Sequence, residues 1–133
     1  MRLFDIHSDL PIVLSPDVPE AIMLAAWDLQ RDLRSLSGKD GFPLVSGCGG
    51  RCIRVETVPG EAPEHYTVTV GDNCITVTGS DVLGTVYGIY AVSTRLLGVL
   101  PVHRLIDRFP EQRQQLDLPE QVIVSPPASA FRR

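Results

Sequence analysis

Three cysteines and three histidines are the side chains of this sequence best suited to chemistry, and their spacing limits what they can do. Cys48 and Cys52 form a C-x3-C pair, with His65 and Cys74 downstream. These four residues supply enough ligands for a tetrahedral zinc ion, but zinc motifs usually carry a second tight pair, and none follows. Cys74 falls in an alternating apolar run, where cysteine commonly serves as a small hydrophobe. The expectation is therefore no metal and no cofactor. An odd number of cysteines in a chain of 133 residues also argues against a disulfide scaffold.

Catalytic groupings are equally incomplete. His7, His65 and His103 are scattered, and no serine sits in a nucleophile-elbow pattern. Asp28 and Asp32 lie one helical turn apart but alternate with Arg31 and Arg34, which reads as a solvated, salt-bridged face. Gly47-Cys48-Gly49-Gly50 has the composition of a phosphate cradle. A cradle needs a helix N-terminus directly behind it, and here a strand pattern follows. No complete active site is legible, so no residue is assigned a catalytic role.

The elements that would hold these groups are clearer. Met1–Leu14 contains two short apolar runs, Leu3–Ile6 and Ile12–Leu14, and predicts two short strands or one bent strand. Asp17 followed by Glu20 predicts a capping box, with Pro19 tolerated in the first turn. Ile22, Ala26, Leu29, Leu33 and Leu36 then make one apolar helical stripe, and Gly38 supplies the stop. Trp27, on this helix, is expected to be packed. Cys52–Val58 alternates, with Ile53 and Val55 on one face. His65–Val70 and Cys74–Thr78 flank Gly71-Asp72-Asn73 and predict a β-hairpin. Gln115–Leu118 and Gln121–Val124 are short extended candidates.

The second helix runs from a cap at Ser80 or Asp81 to Leu97, stopped by Gly98. Leu83, Val86 or Tyr87, Tyr90 and Leu97 give it an apolar face. It also carries Gly84 and Gly88, each costing about 1 kcal/mol relative to alanine in a helix interior. Small residues at this spacing serve close helix contact in membranes, but Thr85, Ser93, Thr94 and Arg95 make the segment too polar for lipid. The remaining explanation is a steric need: the glycine face packs directly on a sheet. Strands, helix, hairpin and helix in this order predict a two-layer α/β sandwich, a mixed and mostly antiparallel sheet with two helices on one face.

The totals suit a soluble domain with a single core: 44% hydrophobic and 21% charged residues. A net charge of −4 without a basic run excludes phosphate-backbone binding, so no nucleic-acid partner is expected, and no membrane span is present. Met1-Arg2-Leu3-Phe4-Asp5-Ile6-His7 lacks the apolar core of a signal peptide, and a cytoplasmic location is expected if Met1 is the native start.

Gly79-Ser80-Asp81, Gly84-Thr85-Val86-Tyr87-Gly88-Ile89-Tyr90 and Leu97-Gly98-Val99 resemble a segment of the domain that precedes the catalytic barrel in several glycoside hydrolases. The pattern is similar to the xylan α-glucuronidases of glycoside hydrolase family 115. It is similar more loosely to the corresponding domains of family 67 α-glucuronidases and family 20 hexosaminidases. Asp81, Gly84, Tyr87, Gly88 and Gly98 carry this motif. The resemblance implies a hexosaminidase domain-2-like sandwich over residues 1–124 and a linker over 125–133 toward a catalytic barrel. Its implied role is non-catalytic: to pack against that barrel, the partner, which acts on the carbohydrate substrate. Pro101-Val102-His103-Arg104-Leu105-Ile106-Asp107 replaces a segment rich in Trp and Tyr in family 115. His103, Arg104 and Asp107 are the expected substrate-proximal residues. The alternative is a stand-alone module that binds a sugar or a protein.

Overall fold

The computed structural model describes residues 1–60, 62–99 and 112–126. His103, Arg104 and Asp107 lie outside the described residues, as does the linker beyond Pro126.

Two short strands open the chain, β1 (Arg2–Phe4) and β2 (Ile12–Val13). Helix α1 (Glu20–Ser37) follows, then β3 (Leu44–Val45), β4 (Cys52–Thr57) and the hairpin β5 (Tyr66–Val70) and β6 (Cys74–Gly79). Helix α2 (Val82–Ala91) continues into a π-helical turn, Val92–Leu96, and two late strands close the order, β7 (Leu116–Asp117) and β8 (Gln121–Val124). Six strands form one sheet in the order β3-β2-β4-β6-β5-β8, and β1 pairs separately with β7.

The sheet is mixed. β2 runs parallel to β3 and β4, and β4 runs parallel to β6. β5 is antiparallel to β6 and to β8, and β1 is antiparallel to β7. The hairpin arises as its sequence implies, with Gly71 N–H closing the turn onto the Cys74 carbonyl at 2.9 Å. Register aligns Ile53 with Ile75, Val55 with Val77, and Val68 with both Val77 and Ile123. Period-2 alternation then places these apolar residues on one face, where they join the stripe of α1 in a single core.

Helix α1 obeys its stripe: Ile22, Ala25, Ala26, Leu29, Leu33 and Leu36 are buried. Gly38 ends it in the left-handed region at φ 73°, where a residue without a Cβ is favoured, and its N–H donates to the Arg34 carbonyl. The start differs from the sequence expectation. Pro19, not Asp17, is the N-cap, and no side chain caps the helix. Asp17 instead accepts a hydrogen bond from the Ser15 hydroxyl, while the Pro19 carbonyl receives the Ile22 and Met23 N–H groups. Asp32 also departs from expectation: it is fully buried and not part of a solvated face. Asp28 does keep the surface pairing, 3.3 Å from Arg31. Among the described residues no helix is long and apolar enough to cross a membrane.

Candidate functional site

The turn between β6 and α2 is held by a dense set of side-chain hydrogen bonds. Asp81 is the N-cap of α2: its Oδ1 accepts the Gly84 N–H at 2.7 Å, and its Oδ2 accepts the Glu64 N–H at 2.9 Å. Ser80 Oγ accepts the His65 N–H at 3.0 Å and donates to the Ala62 carbonyl at 2.6 Å. Thr85, fully buried, donates to the Asp81 carbonyl at 2.8 Å and lies 2.6 Å from the Thr57 hydroxyl. One short segment thus fixes the loop before β5, the end of β4 and the first turn of α2.

The glycines have the steric cause expected of them. A Cβ on Gly79 would meet Thr85 N at 2.2 Å, and one on Gly84 would meet the His65 carbonyl oxygen at 2.3 Å. A Cβ on Gly88 would meet Val77 Cγ1 at 2.7 Å and Tyr66 Cβ at 3.2 Å. Helix α2 lies on the hairpin at a distance only glycine permits. Gly98, at φ 74°, provides the expected stop.

This contact reverses the sequence assignment of the apolar face. Gly84, Thr85, Gly88, Ile89 and Ala91 are the buried residues of α2. Leu83 is 47% exposed, and Val86, Tyr87 and Tyr90 are only partly buried. These four sit at i, i+3, i+4 and i+7, and of them Val86, Tyr87 and Tyr90 still pack against the core, which leaves Leu83 as the exposed member. Of the expected apolar face only Leu97 is fully in the core. Trp27, expected to be packed, is 52% exposed, and Leu24 beside it on α1 is 46% exposed. The two helices contact each other, and the Tyr90 hydroxyl donates to Asp28 Oδ2 at 2.6 Å. Leu24, Trp27 and Asp28 share one α1 face, so that bond joins the outward stripe of α1 to that of α2. Leu24 and Trp27 on α1 and Val82 and Leu83 on α2 are the exposed large apolar side chains of the helix pair, which the tyrosine–carboxylate bond ties together.

The candidate metal ligands do not converge. Cys52 Sγ lies 3.6 Å from Cys74 Sγ, but Cys48 Sγ hydrogen-bonds the Arg51 carbonyl. His65 is at the opposite end of the hairpin, its Nδ1 2.7 Å from the Ser125 hydroxyl. Among the described residues no group of three or more His, Cys, Asp or Glu side chains is arranged to hold a metal ion. A cleft of about 330 Å³ beside the start of α1 brings Asp17 and Glu56 near Thr57 and Thr85. Among the described residues no histidine, cysteine or lysine lines it, and its hydroxyls are held by hydrogen bonds within the fold, Ser15 to Asp17 and Thr85 to the Asp81 carbonyl.

No protein-family model and no curated protein matches the sequence. Solved structures do. A family GH115 4-O-methyl-α-glucuronidase with specificity for decorated arabinogalactans superposes with a TM-score of 0.76 over 90% of this chain, at 23% identity. The GH20 β-N-acetylhexosaminidase of Streptomyces coelicolor A3(2) superposes at 0.62 over 98%, at 22% identity. The β-hexosaminidase of Streptomyces plicatus does so at 0.59 over 92%, at 17% identity. The chain has the fold of a small domain within glycoside hydrolases. It spans only 17%, 24% and 22% of those three chains, respectively. The α/β sandwich expected from element order is therefore the observed fold.

Proposed function

We propose that this chain is a non-catalytic N-terminal domain of a carbohydrate-active glycoside hydrolase of α-glucuronidase type, and that it supports a (β/α)8 catalytic domain. The exposed apolar side chains of the two helices, Leu24, Trp27, Val82 and Leu83, support this reading. A helix pair already packed on its own sheet has no internal need for a second apolar face. A covering domain of the same polypeptide would bury that face, and the matched fold forms a minor part of much longer hydrolase chains. In this reading the carbohydrate substrate meets the catalytic domain, and His103, Arg104 and Asp107 are the residues proposed to approach it.

Two measurements test the proposal. The isolated chain is expected to hydrolyse neither aryl glycosides nor glucuronoxylan fragments; turnover that survives removal of contaminants rejects the non-catalytic role. The natural coding sequence is expected to continue beyond Arg133 into a barrel of about 250 residues. A stop codon directly after Arg133 rejects the supporting role. It would favour a stand-alone module in which exposed Trp27 is a stacking platform for a sugar.

A further inference from the structure

Cys52 and Cys74 are register partners on the neighbouring parallel strands β4 and β6. Their sulfurs lie 3.6 Å apart, close to van der Waals contact and facing each other. Neighbouring strands are about 4.8 Å apart, within the Cα separation of roughly 4.4–6.8 Å that a disulfide spans. Strand spacing and sulfur contact thus place the pair within disulfide reach. The pair is also asymmetric. Cys52 is buried, whereas Cys74 is partly exposed, with its thiol directed to the Gly50 carbonyl at 3.7 Å. Burial, first, and the hydrogen bond with Cys74 push the Cys52 thiol above its ordinary pKa. Cys48, the third thiol, is turned to its own loop, where it accepts the Gly50 N–H at 3.5 Å.

We propose that Cys52 and Cys74 are a redox modification site that takes a low-molecular-weight disulfide as oxidant and forms an intramolecular disulfide between β4 and β6. The exposed Cys74, as thiolate, attacks one sulfur of the small disulfide RSSR. A mixed disulfide forms and RS⁻ leaves, taking up the proton Cys74 gave to solvent. Cys52 then loses its proton and attacks the Cys74 sulfur, displacing the second RS⁻, which leaves as RSH. Two protein thiols are oxidised to one disulfide while one RSSR is reduced to two RSH. Partial exposure of Cys74 gives the oxidant access, and the 3.6 Å contact makes the second step intramolecular. The product staples the two central strands of the sheet across the segment that contains β5.

The test treats the reduced, folded chain with glutathione disulfide, then alkylates it under denaturing conditions for mass spectrometry. The expected product has lost two hydrogens, carries one alkylated cysteine, Cys48, and yields a Cys52–Cys74 linked peptide. Its melting temperature rises by about 5 °C or more, and dithiothreitol reverses the rise. Cys48→Ala is expected to behave identically. Cys52→Ala is expected to stop at a glutathione adduct on Cys74. Three alkylated cysteines after oxidation, a linkage that uses Cys48, or a glutathione adduct that persists on Cys74 of the unaltered chain each overturn the proposal. The linked-peptide map of the unaltered chain decides the matter even if the Cys52 variant fails to fold.

Discussion

The two faces of α2 differ in how closely they approach the rest of the domain. The inner face is mostly small: Gly84, Thr85 and Gly88 let the helix settle onto β5 and β6, close enough to bury Ile89 fully beside them. The outer face is large and apolar, yet Leu83 is nearly half exposed. Size does not decide which face of a helix is buried. Distance of approach does, and glycine sets that distance. The inner face explains how this domain holds itself together, and the outer face indicates what it is built to meet.

Replacing Gly84 by alanine is the strongest way to break this contrast. Helix propensity alone predicts that Gly84→Ala stabilises by about 1 kcal/mol. The added Cβ would lie 2.3 Å from the His65 carbonyl oxygen, a backbone atom held by the Ser80 N–H at 2.8 Å. Overpacking against backbone dominates, and we expect Gly84→Ala to lower the unfolding free energy by about 3 kcal/mol in urea titrations. Gly88→Ala meets Val77 Cγ1 at 2.7 Å and Tyr66 Cβ at 3.2 Å, buried side-chain atoms with little room but not backbone, so its expected loss is smaller, about 2 kcal/mol. A gain in stability from Gly84→Ala would refute the close-packing account.

Asp81→Ala is next. It removes the bonds to Gly84 N–H and Glu64 N–H together, one inside the helix and one across to the loop before β5. The expected loss is about 2 kcal/mol, seen as a lower urea midpoint at constant slope. A loss under about 0.5 kcal/mol would mean that the turn is held by Ser80 and Thr85 without it.

These residues also show what could be read from the sequence. Asp81, Gly84, Gly88 and Gly98 are local signals: a cap, two costly glycines and a stop each act within one turn of chain. The hairpin and the stripe of α1 are similar, because periods of 2 and 3.6 survive without tertiary context. The outer face of α2 was not separable, since Leu83, Val86, Tyr87 and Ile89 make the helix apolar almost all round and leave no stripe to single out. Parallel pairing of β4 with β6 was hidden for another reason. It joins segments separated by a whole strand, and no turn chemistry announces it. The same distance concealed the Cys52–Cys74 contact, while C-x3-C drew attention to Cys48, which faces elsewhere. Burial of Asp32 is likewise a tertiary fact, because on a helical wheel it borders both the stripe and the charged face.

The Tyr90–Asp28 bond tests whether the outer face is a unit. Tyr90→Phe keeps the ring and removes one hydrogen bond to a carboxylate at 2.6 Å. The bond is partly exposed, so the expected loss is about 1 kcal/mol in thermal or urea unfolding of the isolated chain. A double-mutant cycle with Asp28→Asn should return most of that value as coupling. No coupling would mean that the two stripes merely lie side by side.

Leu83→Ser is the smallest expected effect and the sharpest on function. Leu83 is 47% exposed and lies on the side of α2 away from the sheet, so the substitution should change the stability of the isolated chain by no more than about 0.5 kcal/mol. In a longer polypeptide whose catalytic domain covers this face, the same change removes a buried leucine from an interface and should cost about 2 kcal/mol. The ratio between the two contexts is the measurement, because it cancels any intrinsic effect on the helix. Equal losses in both would leave the outer face as plain surface and the apolar stripe without a partner. A loss confined to the longer chain would mean that another domain buries Leu83 there, on the side of α2 that the glycines leave free.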